Sequence, residues 1–169
     1  MADPIRFYFD FNSTFSYIAI QSIDDLAASL GRTVDWRAVS LAHLFKAQNI
    51  TPPPLIPAKL KYLAQDFARS CEFAGLPCKM PPNFPPDVKL ARLTFWHLKA
   101  TDDAAARAFA KKVSMAIFGQ GQDLASAAGV ASACAGMPGI TAETVAAAES
   151  DFAAKRAVIQ ALDDAVADG

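Results

Sequence analysis

The sequence predicts an α/β fold, one βαβ unit followed by an all-helical block, and three observations carry that expectation. Residues Ile5 to Phe11 alternate, with Phe7, Phe9 and Phe11 on one side and Arg6, Tyr8 and Asp10 on the other, the period of two expected of a strand. Apolar positions then recur every three or four residues. Val34, Trp36 and Ala38 next alternate with Asp35, Arg37 and Val39. Strand, helix, strand in fewer than ~40 residues defines a βαβ unit with parallel strands and a right-handed connection.

The first helix is expected to bury Phe15, Ile18, Ala19, Ser22, Ile23, Leu26, Ala27 and Leu30, with Gly31 as its stop. After Ser40 the pattern changes. Nine of the eleven prolines lie between Pro52 and Pro86. Proline fixes φ and lacks an amide hydrogen, so both proline clusters read as ordered loops. Between them Leu60, Leu63, Ala64, Phe67, Ala68 and Cys71 form a helical stripe ending near Gly75. Asp87 reads as the cap of a helix carrying Leu90, Ala91, Leu93, Thr94 and Leu98. Thr101-Asp102-Asp103 starts another, with Phe109, Val113, Ala116 and Ile117 inward. Asp123, Thr141 and Ser150 are the expected caps of three more, the last burying Val158, Ala161, Leu162, Ala165 and Val166. The chain thus divides into a βαβ unit (1–40), a helical insertion with proline-rich loops (41–149) and a returning helix (150–169). Two strands alone leave edges unpaired and much apolar surface uncovered, so either a second chain, as in a homodimer, or further C-terminal sequence is expected to complete the sheet.

Composition bounds the function. With 169 residues, 53% of them hydrophobic, the chain has enough apolar surface for a core. A net charge of -1 gives no general reason to expect a nucleic-acid partner. The amino terminus has none of the marks of a secretory signal, and the uncharged run Leu124 to Ala142 is too broken by glycine and proline to span a bilayer. Cys71, Cys78 and Cys134 form no C-x-x-C pair, and mostly buried, reduced thiols in a cytoplasmic protein are the expectation. Two histidines and three scattered cysteines have no metal-ligand spacing, so no metal is expected. His97 reads as a satisfied, partly buried side chain, and Tyr8, Trp36 and Phe45 as core.

The most informative stretch is Phe7-Tyr-Phe-Asp-Phe-Asn-Ser13-Thr-Phe-Ser16-Tyr17, which places Ser13 just past the first strand at the start of the first helix. Exposed amides and the helix dipole favour an anion there. Two readings stand side by side: Ser13 is an N-cap and nothing more, or its hydroxyl hydrogen-bonds a bound thiolate and keeps it ionised.

This stretch resembles the thioredoxin-fold family of 2-hydroxychromene-2-carboxylate isomerases and kappa-class glutathione transferases, relatives of DsbA that carry F-Y-F-D-F-x-S-P-x-S-Y-x-A; Thr14 replaces the proline. Leu44-Phe-Lys46-Ala-Gln-Asn49, followed by Pro52, Pro53, Pro54 and Pro57-Ala-Lys59, is similar to the family's F-K-x-x-G-N-x-P-P…P-x-K, without its glycine and with spacings around Asn49 shifted by one residue. Pro82-Asn-Phe84-Pro-Pro-Asp87 looks like the family's F-P-x-N loop.

The resemblance implies a thioredoxin-like βαβ half with a helical insertion, the closing strand–strand–helix segment with its cis-proline missing from this chain. It implies Ser13 as the catalytic residue, with Asn49, Pro53 and Lys59 joining Ser13 in binding glutathione, and Lys46 and Phe84 contacting a small aromatic substrate. The implied activity is a glutathione-dependent isomerisation of an unsaturated aromatic carboxylate in aromatic-compound degradation. A kappa-type glutathione transferase and a truncated, non-catalytic binding remnant are the rivals. A dithiol oxidoreductase is set aside, because Ser13 and Ser16 hold both positions of a C-x-x-C.

Overall fold

The structure, a computed structural model, describes residues 3–169; Met1 and Ala2, where the amino-terminal reading begins, lie outside it. β1 (Ile5–Phe9) and β2 (Val34–Ala38) pair in parallel, Ile5 opposite Val34 and Phe9 opposite Ala38, with α1 (Thr14–Ser29) between them in sequence. β1 ends two residues before the expected Phe11. From Asp10 the chain turns sharply enough for the Ser13 amide to reach the Asp10 carbonyl at 3.0 Å, although Phe11 stays buried.

α1 corrects the expectation most. Its buried residues are Thr14, Tyr17, Ile20 and Ala27, whereas Phe15, Leu26 and Leu30 of the expected stripe are 46%, 57% and 67% exposed. The helix is turned because α3 (Pro57–Ala74) and α5 (Asp103–Ser114) pack against it. The loop after α3 accepts a hydrogen bond from Tyr17 Oη through the Pro77 carbonyl (2.9 Å), and the Gln21 amide donates to the α5 carbonyl of Lys111 (3.2 Å).

The rest is helical: α2 (Leu41–Ala47), a 3₁₀ turn (Pro53–Leu55), α3, α4 (Lys89–Lys99), α5, a π turn (Met115–Gly119), α6 (Ala127–Ala133), α7 (Ala142–Ser150) and α8 (Phe152–Asp168). The first proline cluster is therefore part turn and part helix start, with Pro57 in the first turn of α3, where its missing amide costs nothing. Thr141 and Asp102 cap α7 and α5 as their side chains allow. Two other caps shift. Asp123 closes only a local turn to the Ala125 amide, and Ser126 caps α6. Asp151, not Ser150, caps α8, because its carboxylate accepts from both the Ala153 and Ala154 amides (2.7 and 3.2 Å). At α4 the boundary residue is Val88, and Asp87 accepts only from the Lys89 amide.

The core sits between the sheet and the helical block. Phe9 meets Phe11, Trp36 and Phe95 edge to face at 5.2–5.6 Å, an arrangement that aromatic quadrupoles favour. The outer side of β2 is covered: Arg107 donates to the Val34 carbonyl, Trp96 Nε1 to Ala38 (2.9 Å) and Arg92 Nε to Val39 (2.7 Å). The outer side of β1 has no strand against it, since the sheet among the described residues has two strands. On the face towards α8, Asp168 takes Arg6 (2.5 Å) and Tyr8 (2.7 Å), and Asp164 takes Arg37 (2.5 Å). Tyr8 is thus half-buried in a charged cluster and not in the core. Val166, on the expected inner stripe of α8, is 54% exposed. No helix among the described residues is long and apolar enough to cross a membrane.

Candidate functional site

Ser13 is the N-cap of α1. Its extended backbone lets Oγ accept from the Ser16 amide at 3.2 Å, while its carbonyl accepts from Tyr17 (3.1 Å). The hydroxyl spends a lone pair on the cap, so its proton is free to donate outwards. The amides of Thr14 and Phe15 have no carbonyl one turn back to bond within the helix. One hydroxyl proton, two first-turn amides and the positive end of a sixteen-residue helix therefore converge.

Asp10 fixes this turn. It is fully buried; one oxygen accepts from the Leu41 amide (2.7 Å) and the other from Arg92 Nη2 (2.8 Å), and its own amide donates to Ser16 Oγ (3.2 Å). The carboxylate thereby joins the end of β1 to the start of α2 and the middle of α4, and the amide of the same residue adds the first turn of α1. Sequence reasoning passed over Asp10 and Arg92; the available signal was a lone carboxylate in the run Phe7–Phe11, where nothing but a buried cation could balance it.

Beside Ser13 opens a cleft of about 390 Å³. Its walls come from the start of α1, from Leu41 and Phe45 of α2, from Pro52–Leu55, from Leu63 of α3, and from Phe84 and Pro85 of the loop before α4. Apart from Asn12, Ser13 and Thr14, every lining side chain is apolar. Of the residues singled out in the sequence, Ser13, Pro53 and Phe84 meet here. Lys46, Asn49 and Lys59 do not line the cleft: all three are exposed, Asn49 in the left-handed conformation (φ 54°) just past α2. Phe45, expected in the core, is a cleft wall, because the short helix α2 turns it towards Leu41 and the proline loop.

Behind the site, burial pushes the Tyr17 hydroxyl up to about 12, with the Cys71 and Cys78 thiols adding to the effect. Tyr17 therefore stays neutral and holds Pro77. His97 is, as expected, satisfied: Nδ1 lies 2.7 Å from Asp151 Oδ2, at the start of α8 and not at the cleft. The arrangement can receive a small anion, a thiolate or carboxylate, at the α1 terminus while an apolar or aromatic body fills the cleft.

The family described as DSBA-like thioredoxin domain matches residues 4–169. The chain is 34% identical over 119 residues to 2-hydroxychromene-2-carboxylate isomerase of Pseudomonas putida, 69% of this chain and 57% of that protein. It is 32% identical over 91 residues to glutathione S-transferase kappa 1 of Caenorhabditis elegans, 53% of this chain and 40% of that one. These alignments span little more than half of the relatives' length at most. Among solved structures, a 2-hydroxychromene-2-carboxylate isomerase superposes with a TM-score of 0.76 at 28% identity, covering 97% of this chain and 79% of that one. A putative protein disulfide isomerase from Nitrosomonas europaea superposes at 0.69 with 13% identity, a likeness of fold alone.

Proposed function

The chain belongs to the family of DSBA-like thioredoxin domains, and on that premise we propose that it is a glutathione-dependent isomerase of the 2-hydroxychromene-2-carboxylate type, acting on an unsaturated aromatic carboxylate. The observation that supports this most is Ser13: a hydroxyl with its proton free, at a helix N-terminus, on the wall of an apolar cleft. The donor set suits glutathione, whose sulfur needs hydrogen-bond donors and no metal. When bound, glutathione supplies a nucleophilic thiolate. Ser13 would donate a hydrogen bond to that sulfur and the α1 terminus would favour its negative charge, both lowering the pKa of the bound thiol. Phe45, Phe84 and Pro53 hold the aromatic ring and exclude water from it. Lys46, Asn49 and Lys59 meet the polar ends of the ligands from solvent, outside the apolar lining.

Ser13→Ala is expected to lower kcat/KM by roughly 10²-fold or more, the scale of losing one preorganised donor to a developing anion, with an unchanged circular dichroism spectrum. Full activity in the variant, assayed with glutathione and a hydroxychromene carboxylate, rejects the proposal. The likeness to a kappa glutathione transferase supports a second reading with the same thiolate site and a different electrophile. A haloaromatic acceptor assayed beside the chromene substrate separates the two. If calorimetry with glutathione registers no heat, the chain is a non-catalytic binding module.

A further inference from the structure

Away from the cleft, two of the three thiols are brought together. Cys71 lies fully buried in the last turn of α3, and Cys78 is exposed in the loop that follows. Gly75 takes the left-handed conformation (φ 65°) that a side chain would resist, and reverses the chain so that the Leu76 amide reaches the Cys71 carbonyl at 2.9 Å. The returning strand of loop is pinned on both sides of Cys78: Pro77 accepts from Tyr17 Oη (2.9 Å), and the Lys79 amide donates to the Phe118 carbonyl (2.7 Å). The reversal and the two pins bring the Cys78 side chain back beside that of Cys71, close enough for the two thiols to influence each other. Cys134 is buried in a different place, at the end of α6.

We infer that Cys71 and Cys78 are a disulfide-forming pair, a modification site through which a low-molecular-weight disulfide ties the end of α3 to the loop that delivers Phe84 and Pro85 to the cleft. The exposed Cys78, as thiolate, attacks one sulfur of the external disulfide; that S–S bond breaks and one thiolate leaves with the electron pair. Cys71 then yields its proton to solvent and attacks the Cys78 sulfur, expelling the second thiolate. The pair loses two electrons and two protons, and the external disulfide becomes two thiols. Burial, and then the adjoining Cys78, pushes the Cys71 thiol up to about 12, which fixes the order: Cys78 opens the exchange and Cys71 closes it. Neither thiol lines the cleft, so the exchange requires no ligand there.

The test exposes the full chain to hydroxyethyl disulfide in mildly alkaline buffer. Arg69 and Lys79 bracket both cysteines, so trypsin releases Ser70–Lys79 as one peptide. That peptide is expected to lose about 2 Da, the two thiol hydrogens, and to resist alkylation until reduced, while Cys134 remains alkylatable once the chain is unfolded. Cys71→Ser is expected to trap a mixed disulfide at Cys78, and Cys78→Ser to leave Cys71 unmodified. A mixed disulfide that persists at Cys78 in the unsubstituted chain, a Cys78–Cys78 link between two chains, or three free thiols after treatment overturns the inference.

Discussion

Asp10 shows how much one buried carboxylate can organise. Removing it leaves Arg92, whose side chain is 11% exposed, as an unpaired cation, and strips the Leu41 amide of its acceptor. Breaking a buried pair from one side costs about 3–5 kcal/mol, so Asp10→Ala is expected to lower the unfolding free energy in urea by that amount; a loss below about 1 kcal/mol shows that Arg92 finds another partner. Phe84 belongs to a different kind of residue, one with an open side. Its ring packs on Phe118 at 6.3 Å and borders the cleft, so Phe84→Ala should raise the KM for an aromatic substrate by roughly 3- to 10-fold, the worth of one aromatic contact, read from steady-state kinetics. Of the site residues, Ser13 could be found from its own position because a cap and an anion site share the same amides. Asp10 could not, since its partners stand 31 and 82 positions away.

Among the elements, α1 separates what local sequence encodes from what packing decides. Both faces of the helix carry apolar residues, so periodicity cannot choose between them; Tyr17 and Ile20 win because α3 and α5 supply partners on their side. Ile20→Ala is expected to cost about 2–5 kcal/mol and Leu26→Ala within about 0.5 kcal/mol, compared by chemical denaturation; a reversed ranking would mean that the helix is turned the other way. β1, β2 and the capped helices α5 and α7 were legible because alternation and capping are short-range properties. The cap of α8 moved by one residue because Asp151 satisfies two amides and His97 together. α2 was missed because its seven residues give Leu41, Leu44 and Phe45 only one turn of helical spacing, too short a pattern to mark a helix; with it went the placement of Phe45.

At the scale of the molecule, ion pairs join the sheet to the helices around it. Asp151 is held below the usual carboxylate range by His97 and its two amides, and Asp168 by Arg6 and Tyr8. Burial alone would raise Asp103, but Lys99 and Arg107 outweigh it and hold it low. For all three the folded chain prefers the ionised form, so the unfolded chain binds more protons in acid. Their contribution is fully present above the ordinary carboxylate value of about 4 and is lost as pH falls through the depressed folded values. Thermal melts should therefore fall steeply below about pH 4, and Asp168→Asn should make that fall shallower; an unaltered slope removes Asp168 from the account. In the ladder with β2, Ile5 donates to Thr33 and Phe9 accepts from Val39, so the amides and carbonyls of Arg6 and Tyr8 point the opposite way, like the teeth of a comb. The edge that β1 turns away from β2 therefore carries a row of outward-pointing backbone groups, the geometry by which a further strand extends a sheet.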